Sequence, residues 1–399
     1  MGGLILPDAA WRSRSGLDRL CAVLGPGAAR FVGGAVRDTL LGIDVADIDI
    51  ATVLPPEDVL DLLRASGIKA VPTGLAHGTI TAVLAESPVE VTTLRRDVAT
   101  DGRHATVAFT RAWEEDAARR DFTINALYAD PITGEVFDYF GGVEDLAARR
   151  VRFIGDPLQR IAEDHLRILR FFRFHARFGE TVDAAGLAAC GARANDLMAL
   201  SRERIAAELL KLLLADNAVP TVALMIEQGI FRPVLPEIVE ADRLARLATR
   251  EADSGTAPNP IRRLAALLPA DATIAEDVGA RLRLSKLDRR RLFSATQPAG
   301  DVPARAIGYT LGPDLATDRL LLSDRPLADV ESIAGWQPPR LPVSGGALVE
   351  RGVRKGPEVA RLLRAIEAEW VREGFPEQPR LDEIVESALD QWRRFSSNA

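Results

Sequence analysis

The fold is decided by the stretch Gly33-Gly34-Ala35-Val36-Arg37-Asp38, which is followed after a short gap by Asp47-Ile48-Asp49. Residues 29–32 read as a short strand, the two glycines as a tight turn, and the next residues as a helix. Glycines at such a turn let a ligand approach closely, and the free N–H groups of the first helical turn attract phosphate. The stretch predicts a phosphate cradle at Gly34, with Arg37 placed to grip a polyphosphate. A lone Gly-Gly pair would more often be an ordinary turn.

The Asp-Ile-Asp motif favours a phosphate cradle over an ordinary glycine turn. In a strand, the period of two places Asp47 and Asp49 on one face and the isoleucines on the other. Two carboxylates about 7 Å apart along a strand can share hard divalent cations. Mg²⁺ in such a site takes one or two carboxylates plus substrate phosphates, and two metals clamp the attacking and leaving oxygens of an in-line displacement. The pair therefore predicts a magnesium site.

The composition predicts a folded cytoplasmic protein. The chain has 399 residues, of which 47% are hydrophobic, and this length corresponds to about two to four domains. No run reaches the length of a membrane-spanning helix, and the N-terminus lacks the basic start of a secretory signal. The two cysteines imply neither a disulfide framework nor a thiolate metal site, and the four histidines show no metal-ligand spacing.

Charge is distributed unevenly along the chain. The net charge of −7 and the pI near 5.4 argue, by themselves, against a nucleic-acid partner. Between Arg149 and Arg177, however, eight arginines are opposed by three acidic residues, so this segment carries +5. A second basic cluster runs from Arg281 to Arg291. Such segregation suits a protein that meets polyanions on one surface.

Strand patterns are confined to the first part of the chain. Residues 77–84 and 89–94 read as a strand pair. Glu90 alternates with two valines and can face the aspartates as a third carboxylate, although an exposed strand residue is an equally good interpretation. The polar segment 97–110 predicts a mobile loop. From about Gly155 onward helical periodicity replaces strand patterns, and we place a domain boundary there.

A second informative stretch is Glu163-Asp164-His165-Leu166-Arg167-Ile168-Leu169-Arg170-Phe171-Phe172-Arg173-Phe174. On a helix, steps of three keep four polar side chains on one drifting face: Asp164, Arg167, Arg170 and Arg173. An aspartate presents acceptors and an arginine a rigid donor fork, so together they can read the hydrogen-bonding edge of a base. A helix with a cationic solvent face is the alternative, and the metal site predicted upstream favours the nucleotide interpretation.

Taken together, these stretches resemble the bacterial class II tRNA nucleotidyltransferases, that is CCA-adding enzymes and their poly(A) polymerase relatives. Four motifs carry the resemblance, in the family's order and at roughly its spacing: residues 33–38, residues 47–49, Arg119-Arg120-Asp121-Phe122-Thr123-Ile124-Asn125-Ala126, and residues 163–174. The resemblance is strong from residue 30 to about 178 and weaker from 344 to 370.

The resemblance implies an α+β fold class. A polymerase-beta-like nucleotidyltransferase head with a small mixed sheet is expected over residues 1–154. An all-α neck, body and tail is expected to follow. The neck and the start of the body take residues 155–252 and contain a nucleotide-templating helix at 159–178. The rest of the body and the tail take residues 253–399 and bind tRNA.

The resemblance also implies roles for individual residues. Asp47 and Asp49 are expected to bind Mg²⁺. The residues expected at the nucleotide are Gly34, Arg37, Arg120, Asp164, Arg167, Arg170 and Arg173. Among them, Gly34 and Arg37 hold the triphosphate, and Asp164 and Arg167 template CTP and ATP. With Glu90 as the possible third carboxylate, these residues form the predicted catalytic site.

The implied reaction is addition of CCA, or part of it, to tRNA 3′ ends. The 3′-hydroxyl attacks the α-phosphate of CTP or ATP and pyrophosphate leaves, so the expected partner is the 3′ end and acceptor arm of tRNA. Poly(A) polymerase is the alternative enzyme, but residues 72–79 lack the Arg-rich strand associated with that branch. A binding module, which would have no use for the two aspartates, is the alternative outside the enzymes.

Overall fold

A computed structural model describes residues 3–100 and 105–396, with the backbone alone at 97–100, 105–107, 395 and 396. The chain divides into two compact units, residues 1–236 and 237–399. The finer boundaries expected at residues 154 and 252 stay predictions.

A mixed sheet of seven strands forms the centre of the first unit. The described part of this unit has nine strands, seven in this sheet and two in a separate pair: β1 (Ala29–Val32), β2 (Asp49–Thr52), β3 (Ala70–Gly74), β4 (Thr79–Val83), β5 (Pro88–Thr93), β6 (Arg95–Thr100), β7 (Ala105–Phe109), β8 (Leu127–Ala129) and β9 (Val136–Asp138). Their order across the sheet is β3-β4-β5-β2-β1-β8-β9, while β6 and β7 pair separately. β2 and β5 are parallel and the other neighbours are antiparallel. The mixed sheet expected for the head is therefore confirmed.

Ten α-helices complete the described part of the first unit. They are α1 (Leu17–Leu24), α2 (Gly34–Leu40), α3 (Pro56–Ala65), α4 (Trp113–Ala118), α5 (Gly142–Ala147), α6 (Pro157–Glu163), α7 (Arg167–Phe178), α8 (Ala184–Ala192), α9 (Arg202–Leu213) and α10 (Ala218–Glu227). Helix α3 packs on β3 and β4, and α1 packs on α3. Apolar side chains such as Leu20, Ile50 and Leu63 are fully buried in this head core. The opposite face of β2 carries Asp49.

The strand patterns of the sequence are mostly confirmed. β1 occupies the residues predicted for it, and β4 and β5 form the expected antiparallel pair. The loop prediction for residues 97–110 is wrong where the structure describes them, since β6 and β7 pair there and residues 101–104 lie outside the described residues. Val98, Thr100, Thr106 and Val107 are β-branched residues, which favour a strand over a loop.

The helix predicted over residues 159–178 is divided in two. Helix α6 ends at Glu163, α7 begins at Arg167, and Asp164 between them is extended with φ −150° and ψ 106°. The Asp164 carboxylate accepts the Leu166 backbone N–H at 3.1 Å. Because this local bond competes with helical pairing, the prediction of one continuous helix is wrong at Asp164. Three of the four polar residues of the predicted face therefore lie on α7, and the aspartate projects from the break.

The second unit is helical throughout its described residues. Its helices are α11 (Asp242–Asp253), α12 (Pro260–Leu267), α13 (Ala272–Arg281), α14 (Lys286–Ala295), α15 (Ala304–Leu311), α16 (Pro313–Leu321), α17 (Leu327–Glu331), α18 (Gly345–Glu350), α19 (Pro357–Arg372) and α20 (Arg380–Ser396). One core cluster joins Leu348, Ile366 and Trp370 with Leu389. No helix among the described residues has the length and apolar character that a membrane crossing requires.

Candidate active site

The glycine turn joins β1 to α2 as predicted. Gly33 has φ 68° and ψ −119°, a conformation that residues other than glycine rarely adopt. A Cβ added at Gly33 would lie 3.6 Å from Nη1 of Arg120 and 3.6 Å from the Asn125 carbonyl oxygen. The Gly33 N–H donates to the Leu127 carbonyl at 3.0 Å and fixes the turn to the chain entering β8. The turn is thus held directly against the Arg120 guanidinium.

The acidic residues gather at the start of β2. The strand begins at Asp49, so the prediction that both aspartates lie in it is wrong for Asp47, which is exposed in the preceding segment. Parallel pairing places Asp49 opposite Glu90 of β5. Burial raises the pKa of Asp49, and Glu90 and Asp47 raise it further, whereas Arg120 lowers it. Glu90 and Asp47 therefore both act on the Asp49 carboxylate, as expected for a shared acidic site.

A divalent cation fits this arrangement. Burial, together with Glu90 and Asp47, raises the pKa of Asp49 despite the Arg120 charge, and a cation would stabilise the ionised carboxylates. In the part of the chain that the structure describes, no three His, Cys, Asp or Glu side chains are close enough to enclose a metal. Such a cation would therefore need further oxygen ligands, and phosphate oxygens are the ones that Mg²⁺ commonly takes.

Arg120 lies between the glycine turn and Asp49. Its Nη2 donates to Asp116 Oδ2 and its Nε donates to the Tyr128 hydroxyl, both at 3.2 Å. Its Nη1 is the nitrogen nearest Gly33. A guanidinium in this place lies beside the predicted phosphate cradle and acts on the Asp49 carboxylate, and the nucleotide contact expected for Arg120 stays a prediction.

Arg37 is buried and its donors are engaged within the protein. Its Nε donates to Asp38 Oδ1 at 2.7 Å, and its Nη1 donates to Oδ1 of Asn125. The guanidinium also lies 4.4 Å from the centre of the Phe178 ring. Burial lowers the pKa of Arg37, although Asp38 opposes the effect. These contacts support an organising role behind the cradle, and a direct contact of Arg37 with phosphate stays a prediction.

A network of buried charges connects the head sheet with α7 and α9. We call it the head–helix network, and its members are Arg37, Asp38, Asn125, Asp121, Arg170, Glu208 and Arg173. Asp121 accepts from Asn125 Nδ2 at 3.1 Å and from Arg170 Nε at 2.7 Å. Glu208 of α9 accepts from Arg173 at 2.5 Å and lies 3.9 Å from Arg170. The network fixes the arginine face of α7 against the motif around Asp121.

Asp164 and Arg167 have different surroundings. Both oxygens of Asp164 accept from Arg204 of α9, at 3.2 and 3.0 Å, and the two side chains are about one third exposed. Arg167 is buried and donates to the carbonyl oxygens of Arg160 at 2.8 Å and Arg119 at 3.1 Å. Asp164 is therefore accessible to a ligand, while Arg167 connects α7 to the segment that carries Arg120.

Sequence reasoning missed the acids and the arginine that hold these side chains: Asp116, Asp121, Glu208 and Arg204. The arginine partners of Asp121 and Glu208, and the aspartate partner of Arg204, lie 35 to 49 residues away in the chain, so no local pattern identifies those pairs. Asp116 is three and four residues from Arg119 and Arg120, which is the spacing of a helical ion pair. One signal was available for Glu208, which falls on the apolar stripe of α9 beside Ile205 and Leu209 and is itself buried. A carboxylate on a buried helix face needs a cationic partner.

Most arginines of the basic segment 149–177 are paired with carboxylates, although Arg177 is exposed. Arg150 and Arg152 pair with Asp145, and Arg177 pairs with Asp38 at 3.3 Å. Together with Arg160, Arg167, Arg170 and Arg173, seven of the eight arginines therefore bond to carboxylates. The local excess of positive charge thus organises the site more than it forms an outer cationic surface.

A separate cavity of about 760 Å³ lies elsewhere in the first unit, lined by residues that include Asp8, Arg12, Cys21 and Phe31. Among the described residues, none of the predicted site residues lines it. We place the site at the acidic residues and not in this cavity, because the glycine turn, Arg120 and the paired Asp49 and Glu90 lie together there.

Comparison with known protein families gives two matches. Residues 29–152 match the model of the poly A polymerase head domain, and residues 181–242 match a probable RNA- and SrmB-binding site of polymerase A. The first match spans the sheet, the glycine turn and the acidic residues. The second match contains α9, which holds Asp164 and Arg173.

Comparison with individual proteins extends over most of the chain. The human CCA tRNA nucleotidyltransferase 1, mitochondrial, is 35% identical over 381 residues, which cover 89% of this chain and 85% of that protein. The CCA-adding enzyme of Latilactobacillus sakei is 30% identical over 371 residues, covering 87% and 91%.

Solved structures show the same architecture. The Bacillus stearothermophilus CCA-adding enzyme in complex with CTP superimposes with a TM-score of 0.75 at 29% identity, covering 96% of this chain and 98% of that one. The Thermotoga maritima CCA-adding enzyme complexed with tRNA has a TM-score of 0.73 at 19% identity, covering 98% and 100%. The second likeness shows the fold alone.

Proposed function

The chain belongs to the CCA tRNA nucleotidyltransferase family, an enzyme family also named CCA-adding enzymes, and we propose from this premise how its head transfers nucleotides. The enzyme adds CCA, or part of it, to tRNA 3′ ends with CTP and ATP as substrates. The observation that carries our assignment of the site is the pairing of Asp49 with Glu90, beside Asp47 and within reach of Arg120.

We propose that Asp47 and Asp49 hold a divalent cation, Mg²⁺, with Glu90 as the third negative charge of the set. When bound, such a cation stabilises the charge that develops on the α-phosphate and on the attacking and leaving oxygens. The carboxylates themselves must be ionised to hold it. Burial and the neighbouring carboxylates raise the pKa of Asp49, and a bound cation would oppose this effect by stabilising the ionised form.

The glycine turn and Arg120 receive the triphosphate in this proposal. Gly33 carries no side chain, and the Arg120 guanidinium lies beside it, so in this proposal phosphate oxygens bind between Arg120 and the N–H groups at the start of α2. Arg120 supplies a fixed positive charge on the same side as Asp49. Gly34 and Arg37 lie in the same turn and helix, where Arg37 supports the arrangement from behind.

The base is selected at the break between α6 and α7. Asp164 presents acceptors there, and Arg204 holds its carboxylate in place. Arg170, about 30% exposed at its side chain, and Arg173 provide donors on the adjoining turns of α7. In the proposal Asp164 and Arg167 select CTP and ATP, with Arg167 acting from its contacts to the segment of Arg119.

The test is a list of the nucleotides that the purified enzyme adds to three RNA substrates. These are tRNA ending at the discriminator base, at that base plus C, and at that base plus CC. A complete CCA-adding enzyme extends the first with C, C and A, the second with C and A, and the third with A alone, each requiring Mg²⁺. An active-site-titrated preparation that adds nothing to any of them would contradict the proposed function.

Poly(A) polymerase is the second candidate, since the matching head model carries that name. The relatives that match over most of the chain are named for CCA addition, which favours the CCA reading. Repeated addition of AMP to the third substrate, with no use of CTP on the first, would reverse the order of the two candidates.

We propose a cytoplasmic location on composition alone. The human, mouse and zebrafish relatives are named as mitochondrial proteins. Imaging of the tagged protein in its own cell would decide between a cytoplasmic and an organellar location.

A further inference from the structure

Asp116 of α4 is the most heavily bonded carboxylate beside the site. Its side chain is only 1% exposed, and its two oxygens accept from four different residues. Oδ1 accepts from the Arg95 backbone N–H at 3.2 Å and from Arg119 Nε at 2.9 Å. Oδ2 accepts from the Tyr128 hydroxyl at 2.7 Å and from Arg120 Nη2 at 3.2 Å. A buried carboxylate with this many donors holds one geometry.

Three of these groups close a triangle. Tyr128 donates its hydroxyl proton to Asp116 and accepts from Arg120 Nε, while Arg120 Nη2 donates to Asp116 directly. Two of the three guanidinium nitrogens are thereby engaged. The third, Nη1, is directed to the glycine turn, 3.6 Å from the position of a Cβ at Gly33. Since a guanidinium is planar, fixing two nitrogens fixes the direction of the third.

We propose that Asp116 is a positioning residue that, with the Tyr128 hydroxyl, orients Arg120 so that its Nη1 faces the triphosphate of the incoming nucleotide. This inference rests on the proposed nucleotide contact of Arg120. Asp116 acts only through Arg120 and touches neither substrate. The Arg95 N–H, at the first residue of β6, attaches the start of the β6–β7 pair to the same carboxylate.

The protonation state of Asp116 supports this role. Burial alone would raise its pKa, but Arg120 and Arg119 outweigh burial and hold the pKa at about 2. The carboxylate therefore remains charged at every pH at which tRNA is stable. Its effect on Arg120 is constant across that range.

The experiment is a double-mutant cycle on the full-length enzyme with CTP, ATP and tRNA lacking its terminal nucleotides. Tyr128→Phe removes the hydroxyl that bonds to both Asp116 and Arg120 and keeps the ring and every charge. It therefore tests the orientation of Arg120 with little risk to folding. We expect it to raise the KM for CTP and for ATP by the same factor, about fivefold, and to leave the KM for tRNA unchanged. Arg120→Gln should raise the nucleotide KM further, and the double variant should be no worse than Arg120→Gln alone.

Arg119→Gln is the matched control, because the Arg119 guanidinium pairs with Asp116 but lies outside the triangle. It should leave the nucleotide KM within twofold of the wild type. Asp116→Asn should also raise the KM for CTP and for ATP, as Tyr128→Phe does. A purely structural role for Asp116 would lower kcat through loss of folded enzyme and leave every KM unchanged, and that result would overturn the inference.

The cycle also separates this inference from the proposed function. If Arg120→Gln raises the nucleotide KM while Tyr128→Phe and Asp116→Asn do not, the positioning role is overturned and the function stands. If Arg120→Gln itself leaves the nucleotide KM unchanged, the nucleotide contact is wrong and the positioning role falls with it. Absence of nucleotide addition by the wild type would instead overturn the proposed function.

Discussion

The two units of the chain each contain a buried arginine–carboxylate network, and the two networks serve different ends. The head–helix network includes three of the residues predicted to bind the nucleotide, Arg37, Arg170 and Arg173. The second, which we call the C-terminal network, joins α11, α12, α14 and α16 through Glu251, Arg262, Arg263, Asp318 and Arg291. Both consist of the same residue types at similar distances.

The two networks differ in how far their side chains are exposed to solvent. In the C-terminal network Arg262 is 2% exposed and Asp318 is 0% exposed, and Glu251 accepts from Arg262 and Arg263 with both oxygens. The head–helix network instead borders side chains that reach solvent, such as Arg170 and the nearby pair of Asp164 and Arg204. A ligand can reach the exposed edge of the head–helix network, whereas the centre of the C-terminal network at Glu251, Arg262 and Asp318 is closed to it.

The difference teaches that clustered arginines mark function only where the network is open. A closed buried network is strongly disrupted when one partner is removed, because the remaining charges are left unpaired. An open network near an acidic pair loses less stability and more activity. Four substitutions sharpen or break this distinction.

Asp49→Asn has the largest expected effect on activity. The change keeps the size of the side chain and removes the charge that we propose holds the cation, so the rate of nucleotide addition should fall by about a thousandfold. The thermal midpoint should not fall, because the raised pKa of Asp49 shows that its charge is unfavourable in the folded protein. A rate within tenfold of the wild type, measured by labelled CTP incorporation, would remove Asp49 from the catalytic site.

Glu251→Gln has the largest expected effect on stability. It leaves Arg262 and Arg263 buried beside a neutral side chain and should destabilise the second unit by about 3–5 kcal/mol. Urea unfolding measures the loss, and the rate per folded molecule should stay within twofold. Glu276→Gln, an exposed acid on α13 of the same unit, is the control and should change stability by less than about 0.5 kcal/mol.

Glu208→Gln should lower both activity and stability, each by less than the two substitutions above. It weakens the links to Arg173 and Arg170, so stability should fall by about 2 kcal/mol and the KM for both nucleotides should rise by about tenfold. Urea unfolding and steady-state kinetics on one preparation measure the two numbers. A stability loss with wild-type kinetics would place Glu208 in the structural class of Glu251.

Arg204→Gln has the smallest expected effect on stability. Its bond to Asp164 is about one third exposed, so the loss should stay under about 1 kcal/mol. Because the bond holds the side chain that we propose reads the base, the preference between CTP and ATP at each step should change severalfold. Arg193→Gln breaks a partly exposed pair with Asp196 in the same unit and should leave the preference unaltered.

The sequence predicted the local parts of the site well. The strand, the glycine turn and the following helix all lie where the residues 29–41 place them, since turn chemistry and strand pattern are local properties. The position of Glu90 opposite Asp49 was left open by its alternation alone. The parallel pairing of β2 with β5, which depends on the whole sheet, decided it.

The pairing of charges could not be predicted in the same way. The eight arginines of residues 149–177 suggested an outer cationic surface, and their carboxylate partners, such as Asp38 and Glu208, come from distant segments. The second basic cluster also directs two arginines inward, as Arg281 pairs with Glu237 and Arg291 with Asp318. The sequence did not reveal the break at Asp164, because the helical period of the polar residues continues through it. The bond between its carboxylate and the Leu166 N–H is visible only in the structure.

The most direct test of the account is binding of Mn²⁺, as a spectroscopic substitute for Mg²⁺, to the full-length enzyme with a non-hydrolysable CTP analogue. Electron paramagnetic resonance measures the free Mn²⁺ that remains. The account predicts that the wild type and analogue together remove more Mn²⁺ than either removes alone, and that Asp49→Asn abolishes the excess while its thermal midpoint is unchanged. Equal Mn²⁺ binding by the wild type and by Asp49→Asn would contradict the claim that these carboxylates hold the catalytic cation.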